Sequence, residues 1–171
     1  LGLEHAFAIP CDVRFPDSVE EALAKVLGRF GQVNALVNNA AGNFVAPTKH
    51  LKPAAFKMVV DTVLMGTIYC SLAFGKHWLA NKQKGTVICI STNYASTGSP
   101  YVVPSGCAKA GVENLIRSLS SEWGRHGIRF LGISPGPFPT EGAMRQLRFF
   151  EEGFLPGVDK EALIAQRIPL G

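Results

Sequence analysis

The chain has 171 residues, the length of one domain, and its composition (47% hydrophobic, 18% charged) favours a packed globular core over an intrinsically disordered chain. The net charge is only +4, and no basic run is interleaved with aromatic residues, so nucleic acid is excluded as the expected partner. A mild positive balance suits an anionic ligand.

Cysteine spacing and hydropathy exclude two further classes. The four cysteines show neither C-x-x-C nor metal-ligand spacing, so we predict no metal site. Cys70 and Cys89 lie in apolar runs, and we predict that they are reduced core thiols. No apolar stretch reaches the length of a membrane span, and we predict none.

Periodic apolar residues predict strands and helices that alternate along the chain. We expect a strand over residues 5–9, a helix that Asp17 or Ser18 caps and that ends near Phe30, and a strand over residues 35–37. A long helix then begins at Pro53 and reaches about residue 82. A strand over residues 86–90, a helix from about Ser105 to Trp123, and a strand over residues 130–133 follow.

This alternation indicates an α/β fold with a doubly wound parallel sheet, Rossmann-like, in one domain over residues 1–171. Ligands of such sheets bind beyond the carboxyl ends of the strands. Residues 138–171 contain helical pieces broken by Pro and Gly, which we interpret as a substrate lid.

Hydroxyl groups cluster at the carboxyl end of the strand over residues 86–90. Ser91, Thr92 and Tyr94 follow that strand directly. On the next helix, Ser105 and Lys109 are four residues apart and therefore share one face. The sequence thus predicts a polar site between this strand end and this helix.

The arrangement resembles the active site of the short-chain dehydrogenase/reductase family, in which a strand-end Ser, a Tyr-x-x-x-Lys pair and a nicotinamide cofactor act together. Thr92 holds the Ser position and Lys109 the Lys position, but Ser105 holds the Tyr position. A Tyr just after the strand, with Ser on the helix, is similar to the 2,4-dienoyl-CoA reductases of the mitochondrial type. The same branch is indicated by the segments Asn38-Asn-Ala-Ala-Gly-Asn-Phe44, Val102-Val-Pro-Ser105 and Pro135-Gly-Pro137, and the resemblance covers essentially the whole chain.

The resemblance implies four catalytic residues. Tyr94 and Asn43 would both hydrogen-bond the thioester carbonyl oxygen. The alternative for Tyr94 is an aromatic residue in the pocket wall, with Tyr101 or a water as the donor. The alternative for Asn43 is an ordinary turn residue. Lys109 would bind the nicotinamide ribose and hold positive charge near the reacting centre, instead of being an exposed helix lysine. Ser105 would support the substrate or Tyr94, and it is also a candidate helix N-cap.

The resemblance also implies the residues that bind ligands. The cofactor would contact Asp12, Val13, Asn39, Ala40, Ala41, Gly42, Thr92, Lys109, Pro135, Gly136, Pro137 and Phe138. Phe44 would line the acyl pocket. Arg14 and Arg145 would pair with CoA phosphates, or they are ordinary surface charges.

Two departures from the family pattern have consequences. No glycine-rich G-x-x-x-G-x-G turn is found, and in the family that turn belongs to the first strand. We therefore expect part of a longer protein, without the first two strands and the last strand of the sheet. In addition, Met65 stands where the family has an Asn that relays protons from the active-site Lys.

The resemblance implies an NADPH-dependent 2,4-dienoyl-CoA reductase of fatty acid β-oxidation, a homotetramer located in mitochondria, with peroxisomes or cytoplasm as alternatives. The nearest rival is a 3-oxoacyl (carbonyl) reductase of the same fold, against which Ser105 argues. A rival of another class is a non-catalytic relative that binds the nucleotide. A serine/lysine hydrolase is disfavoured because no G-x-S-x-G turn is present.

Overall fold

Three parallel strands form the centre of the molecule in the computed structural model, which describes residues 5–136 and 140–141. Helix α1 (Pro16–Phe30) precedes strand β1 (Ala35–Asn38), and β2 (Gly85–Ile90) and β3 (Ile128–Ile133) follow further along the chain. The sheet order is β1-β2-β3, and both pairs are parallel. The parallel Rossmann-like sheet predicted from the sequence is therefore confirmed.

Backbone chemistry explains where α1 begins and ends. Pro16 occupies the first turn, where the fixed φ of proline suits a helix and its lack of an N–H is harmless. At the other end Gly31 adopts φ 74°, a left-handed conformation that costs glycine little, and its N–H donates to the Leu27 carbonyl.

The long helix between β1 and β2 contains a π-helical turn. It consists of α2 (Pro53–Val60), the π-helical residues Asp61–Met65 and α3 (Gly66–Ala80). The Thr67 hydroxyl donates to the Val63 carbonyl at 2.7 Å, which pairs a backbone acceptor within the widened turn. Gly66 follows directly, and a Cβ there would lie 2.6 Å from Val13 Cγ2, so the close approach of residue 13 requires glycine.

Two helices follow β2. The short helix α4 (Tyr94–Thr97) comes four residues after the strand, and α5 (Val103–Trp123) carries Ser105 and Lys109. Helix α5 begins two residues earlier than the sequence predicted, because Pro104 sits in its first turn. Its N-cap is Val102, so the capping role considered for Ser105 is wrong.

The core lies on one face of the sheet. In register across the three strands, Leu36, Val87 and Phe130 share the face that packs on α3 and α5. Trp78 and Trp123 fill the space beneath this face, and a Cβ at Gly75 would lie 2.1 Å from the Trp123 ring. On the opposite face Val37 and Leu131 are about half exposed, so within the described residues one side of the sheet carries the burial.

The predicted strand over residues 5–9 is not formed. Residues 6–12 have no regular structure, and residues 5–8 are exposed. A strand needs a neighbour that takes its backbone hydrogen bonds, and the described sheet ends at β1. The predicted lid over residues 138–171 lies outside the described residues except for Thr140 and Glu141.

Among the described residues, the 28-residue helix Pro53–Ala80 meets the length and composition of a membrane span, and an 18-residue window within it has a mean hydropathy of 1.5. The sequence expectation that no stretch would reach this length is therefore not met. The helix nevertheless packs against α1, α5 and the sheet, which is the environment of a core helix. Cys70 and Cys89 are free and buried, as predicted for core thiols, and burial raises the pKa of the Cys70 thiol to about 11.

Candidate active site

Lys109 is buried at the carboxyl end of β2. Its side chain is only 7% exposed, and its ammonium group donates a hydrogen bond to the Ile90 carbonyl at the last position of the strand. Burial lowers the pKa of Lys109, because removal from water disfavours the charged form. The alternative of an exposed helix lysine is therefore wrong, and the geometry places a cation at the edge where parallel sheets bind ligands.

A tyrosine and a serine meet one helical turn before this lysine. The Tyr94 hydroxyl and the Ser105 Oγ are 3.2 Å apart in a hydrogen bond. Ser105 is buried in the first turn of α5, and Tyr94 begins the short helix α4, which packs against α5. The Tyr94 hydroxyl thus lies at the face of α5 that carries Lys109, although Tyr94 follows β2 and is not part of α5.

A second pair of side chains, Ser91 and Glu113, fixes the same junction, and the sequence analysis missed it. Ser91 is buried after β2, its Oγ donates to Glu113 Oε1 at 3.0 Å, and its N–H donates to the Ile133 carbonyl at 2.7 Å. Arg117 in turn donates to Glu113 Oε2 at 3.2 Å. Because Glu113 follows Lys109 by four residues, the helical spacing that paired Ser105 with Lys109 also points to it.

Asn43 lies in the loop after β1 and has no such partner among the described residues. No described residue hydrogen-bonds its buried Oδ1, which is uncommon for an amide because an unpaired buried polar atom is costly. Together with Phe44 it borders a cavity of about 680 Å³, whose other walls are largely apolar: Val45, Ala46, His50, Leu51, Lys52, Ala54, Ala55 and Met58. An amide at the end of an apolar cavity suits a ligand with a hydrocarbon chain and a polar head.

Backbone and side-chain bonds attach this loop to the rest of the edge. The Ala46 N–H donates to the Tyr101 carbonyl at 2.9 Å, which joins the loop after β1 to the loop before α5. The amide of buried Asn38, at the end of β1, donates to Ser71 Oγ on α3 at 3.1 Å and lies 3.5 Å from the Cys89 sulfur. Among the described hydrogen bonds, none joins Asn43 to Tyr94.

The residues assigned to the cofactor line the exposed carboxyl edge. Asn39, Ala40 and Ala41 are exposed, Gly42 and Thr92 are half-buried, and Pro135 and Gly136 are exposed after β3. A Cβ at Gly42 or at Gly136 would meet no atom of the described residues within 4 Å, so these residues leave the backbone at both positions open to a ligand. Pro137, Phe138 and Arg145 lie outside the described residues.

Asp12 and Arg14 form an ion pair beside this edge. Arg14 Nη2 lies 2.6 Å from Asp12 Oδ2, and hydrogen bonds from Arg14 hold the pKa of the Asp12 carboxyl at about 2, well below its ordinary value. The structure thus gives Arg14 a partner other than a phosphate. Val13 packs between them on Gly66.

Comparison with known proteins defines the class. Residues 2–149 match the short chain dehydrogenase family. The chain therefore belongs to this family, as the residues around Lys109 predicted.

Curated relatives share this stretch. An uncharacterised oxidoreductase of Caenorhabditis elegans is 45% identical over 137 residues (80% of this chain, 44% of the relative). A probable (3E)-enoyl-CoA-producing 2,4-dienoyl-CoA reductase of the same organism is 42% identical over 143 residues (83% and 46%). A peroxisomal 2,4-dienoyl-CoA reductase of Danio rerio is 38% identical over 138 residues (80% and 46%). The chain spans about half the length of these relatives.

Solved structures show the same fold. A short chain dehydrogenase from Bacillus anthracis superposes with a TM-score of 0.75 at 37% identity, over 93% of this chain and 65% of that one. A gluconate 5-dehydrogenase from Burkholderia cenocepacia, in complex with NADP and tartrate, gives 0.74 at 28% identity, over 78% and 52%. The Rossmann-like assignment of the three described strands agrees with both.

Proposed function

We propose that the protein is an NADPH-dependent 2,4-dienoyl-CoA reductase that forms a 3-enoyl-CoA in the β-oxidation of unsaturated acyl chains. The observation that carries this proposal is the hydrogen bond between Tyr94 and Ser105, one turn before buried Lys109. The phenol of Tyr94, which follows the end of β2, therefore lies beside Ser105, the α5 residue four positions before Lys109. The dienoyl-CoA reductases among the relatives support the same substrate class.

The described residues suit a nicotinamide cofactor. Open backbone at Gly42 and Gly136 allows close approach, Lys109 supplies a cation for ribose hydroxyls, and Asp12 supplies an acceptor for the adenine amine. The complex of the gluconate 5-dehydrogenase with NADP supports this ligand class. The preference for NADPH over NADH comes from the resemblance alone.

Each catalytic residue has a task set by where charge develops. The cofactor, when bound, supplies a hydride to the terminal carbon of the diene, and the electron pair moves through the conjugated system to the thioester oxygen. Tyr94 and Asn43 donate hydrogen bonds to that oxygen, and one donor aimed at a developing oxyanion stabilises a transition state by roughly 3 kcal/mol. A proton from water then adds to the α carbon.

Ser105 and Lys109 act on these groups. Ser105 hydrogen-bonds the Tyr94 hydroxyl and so orients it toward the substrate. Lys109 holds positive charge close to the reacting centre, in a site from which water is largely removed, and this strengthens its electrostatic effect. Met65, in the π-helical turn, has no proton to relay, and dienoyl reduction requires none from that position.

The test compares substrates at equal cofactor concentration. Full-length protein should consume NADPH with a 2,4-dienoyl-CoA and leave a 3-oxoacyl-CoA of the same chain length unchanged, as followed by absorbance. Reduction of the ketone alone would establish the carbonyl reductase instead. Binding of NADPH without turnover of either ester would establish a non-catalytic nucleotide-binding relative.

Location and assembly are further parts of the proposal. We infer a homotetramer from the resemblance, and gel filtration with light scattering tests it. Mitochondria stay the predicted location, while the name of the Danio rerio relative supports the peroxisomal alternative. Fractionation of cells that express the full-length protein separates the two.

A further inference from the structure

The peptide group between Ile90 and Ser91, at the end of β2, is held by both of its polar atoms. The Ser91 N–H donates to the carbonyl of Ile133 on β3 at 2.7 Å. The two polar atoms of a trans peptide point in opposite directions, so the Ile90 carbonyl faces away from β3. On that side β1 has already ended, because its last residue, Asn38, pairs with the residue before Ile90. The Lys109 ammonium group donates to this carbonyl in place of a strand.

A second bond attaches the same strand end to the same helix. Ser91 is buried, and its Oγ donates to Glu113 Oε1 at 3.0 Å. Residues four apart on a helix share one face and lie roughly 6 Å apart along its axis. Glu113 follows Lys109 by four residues on α5, and their partners are consecutive in the chain. The strand end is therefore attached to α5 at two points, which fix the orientation of this peptide group as well as its distance from the helix.

Helix α5 is a rigid support for these bonds. A Cβ at Gly111 would lie 2.9 Å from Leu64 Cδ1 in the π-helical turn, and a Cβ at Gly132 on β3 would lie 3.3 Å from Ile116 Cδ1 on α5. Contacts this close on two sides leave the helix little room to shift. The strand, in contrast, continues into residues 91–93, which are neither helix nor strand. The orientation of this segment therefore depends on its side-chain bond to the helix.

We propose that Glu113 is a positioning residue for Lys109: through Ser91 it holds the Ile90 carbonyl in the direction that aims the ammonium group at the cofactor ribose. A lysine ammonium group has three N–H donors and no acceptor, so its bond to Ile90 leaves two donors for the ribose hydroxyls. This inference rests on the proposed function, which assigns Lys109 to the nicotinamide ribose. It gives the buried pair of Ser91 and Glu113 a task in the reaction besides that of joining two elements.

The experiment measures three quantities on full-length protein: the affinity for NADPH by isothermal titration calorimetry, kcat for the acyl-CoA that the wild type reduces, and the alkaline pH at which kcat falls. Ser91→Ala and Glu113→Ala each remove the side-chain bond. Each should weaken NADPH binding about threefold to tenfold, the loss that corresponds to about one hydrogen bond. Each should also lower kcat about tenfold, because a misdirected cation no longer matches the reacting geometry. The double variant should lose no more than the larger single loss, since the two residues form one bond.

The pH profile separates positioning from a loss of stability. A hydrogen bond to the charged form of a group favours that form, so a misdirected Ile90 carbonyl lets Lys109 lose its proton at a lower pH. The alkaline fall of kcat should therefore move to lower pH by roughly 0.5–1 unit in Glu113→Ala. The Cys89 thiol on β2 and the Tyr94 phenol on α4 are further ionisable groups at this junction, and both are unchanged in every variant.

Three variants control the result. Glu113→Gln keeps an oxygen acceptor for the Ser91 hydroxyl without the charge, so affinity and kcat should stay within about twofold of wild type, with an unchanged pH profile. Arg117→Gln removes the exposed ion pair to Glu113 Oε2 and keeps the bond at Oε1, so it should change none of the three quantities. Val19→Ala opens a cavity under α1, which packs on α3. It should lower stability and leave kcat and its pH profile unchanged.

Other outcomes would overturn the inference. Losses in Glu113→Gln as large as those in Glu113→Ala would mean that the charge, and not the bond to Ser91, acts on Lys109. An unchanged pH profile in Glu113→Ala would leave Glu113 a purely structural role, and additive losses in the double variant would remove the link through Ser91. A wild-type protein that binds neither NADPH nor NADH would overturn both the inference and the proposed function. Normal NADPH binding without dienoyl reduction would overturn only the proposed reaction, and the NADPH affinities of the same variants would still decide the inference.

Discussion

The junction between β2 and α5 and the loop after β1 both carry proposed catalytic residues, but they hold them differently. At the junction, Lys109 and Ser105 are buried, and Lys109, Ser105 and Tyr94 each have a hydrogen-bond partner. In the loop, Asn43 borders an apolar cavity, and within the described part of the chain its amide oxygen has no hydrogen-bond partner.

This difference teaches which part of the site the fold builds and which part a ligand completes. The groups that would handle charge at the junction are fixed before any ligand binds, as preorganised catalysis requires. The NH2 group of the Asn43 amide can donate to the oxygen of a ligand in the cavity, whereas Oδ1 accepts and would need a donor. Variants at the junction should therefore affect the chemical step, and variants in the loop should affect substrate binding as well.

The largest expected effect comes from Lys109→Met, which removes the buried cation with little change in volume. We expect kcat/KM for a dienoyl-CoA to fall by about 10²- to 10³-fold, as for other preorganised electrostatic groups. Circular dichroism serves as the check that the fold is kept. A variant that is folded and fully active would break the distinction between the two regions.

Deprotonation of Lys109 at alkaline pH should lower the reaction rate by a factor similar to that of Lys109→Met. The pKa of Lys109 is lowered by burial, so its proton is lost at a lower pH in the folded chain than in the unfolded chain. Between those two pKa values the unfolded chain binds more protons, and the free energy of unfolding rises with pH. The reaction rate should fall over the same range, because the cation disappears.

Opposite trends of stability and rate are therefore the signature of Lys109. Denaturant unfolding and kcat, measured across the same alkaline pH series, should show them in wild type. Lys109→Met should lose the contribution to the rise in stability. A rate that stays level while the stability rises would show that the reaction does not need the ammonium group.

Next in size is Tyr94→Phe, which removes one donor and keeps the ring. We expect kcat to fall by about 10²-fold with little change in KM, since the lost bond is strongest in the transition state. Tyr101→Phe is the matched control at the alternative phenol and should stay within about threefold of wild type. The reverse order of effects would transfer the role to Tyr101.

The fold was largely predictable because periodic apolar residues determine it. The residues of β1, β2 and β3 are apolar runs at the expected positions, and α1 and α5 begin and end at Pro and Gly signals. The strand expected over residues 5–9 failed because strand formation depends on a neighbour, which local sequence does not encode. The π-helical turn was not predicted either. It depends on contacts within this helix, such as the bond from the Thr67 hydroxyl to the Val63 carbonyl, which hydrophobic periodicity does not reveal.

The site was predictable where helical spacing or resemblance applied. The spacing of four residues predicted that Ser105 and Lys109 share one helix face. The contact of Tyr94 with Ser105 was predicted by resemblance, because Ser105 stands where the family has a helix Tyr. The bond from Lys109 to the Ile90 carbonyl and the pairing of Arg14 with Asp12 depend on three-dimensional packing and rotamers. Sequence offers no signal for which of several acceptors a long cationic side chain selects.

A smaller effect is expected on the side of the loop, from Asn43→Ala. Loss of one hydrogen bond to the substrate oxygen should lower kcat/KM about tenfold, corresponding to about 1.4 kcal/mol, with part of the change in KM. Asn43→Asp provides the contrast, because a carboxylate cannot donate and repels the developing charge, so its loss should be larger. Equal kcat/KM values for the two variants would mean that Asn43 does not face the thioester oxygen.

The smallest effect should come from Glu113→Gln, which tests how the junction is fixed. The amide oxygen that this substitution introduces still accepts from the buried Ser91 hydroxyl, while the partly exposed ion pair with Arg117 loses its charge. Exposed pairs of this kind contribute at most a few tenths of a kcal/mol, so the free energy of unfolding should change by less than about 0.5 kcal/mol. Glu113→Ala instead leaves the Ser91 hydroxyl buried without an acceptor and should cost about 1–2 kcal/mol in denaturant unfolding. If Glu113→Gln cost as much as Glu113→Ala, the charge and not the hydrogen bond would anchor the strand end.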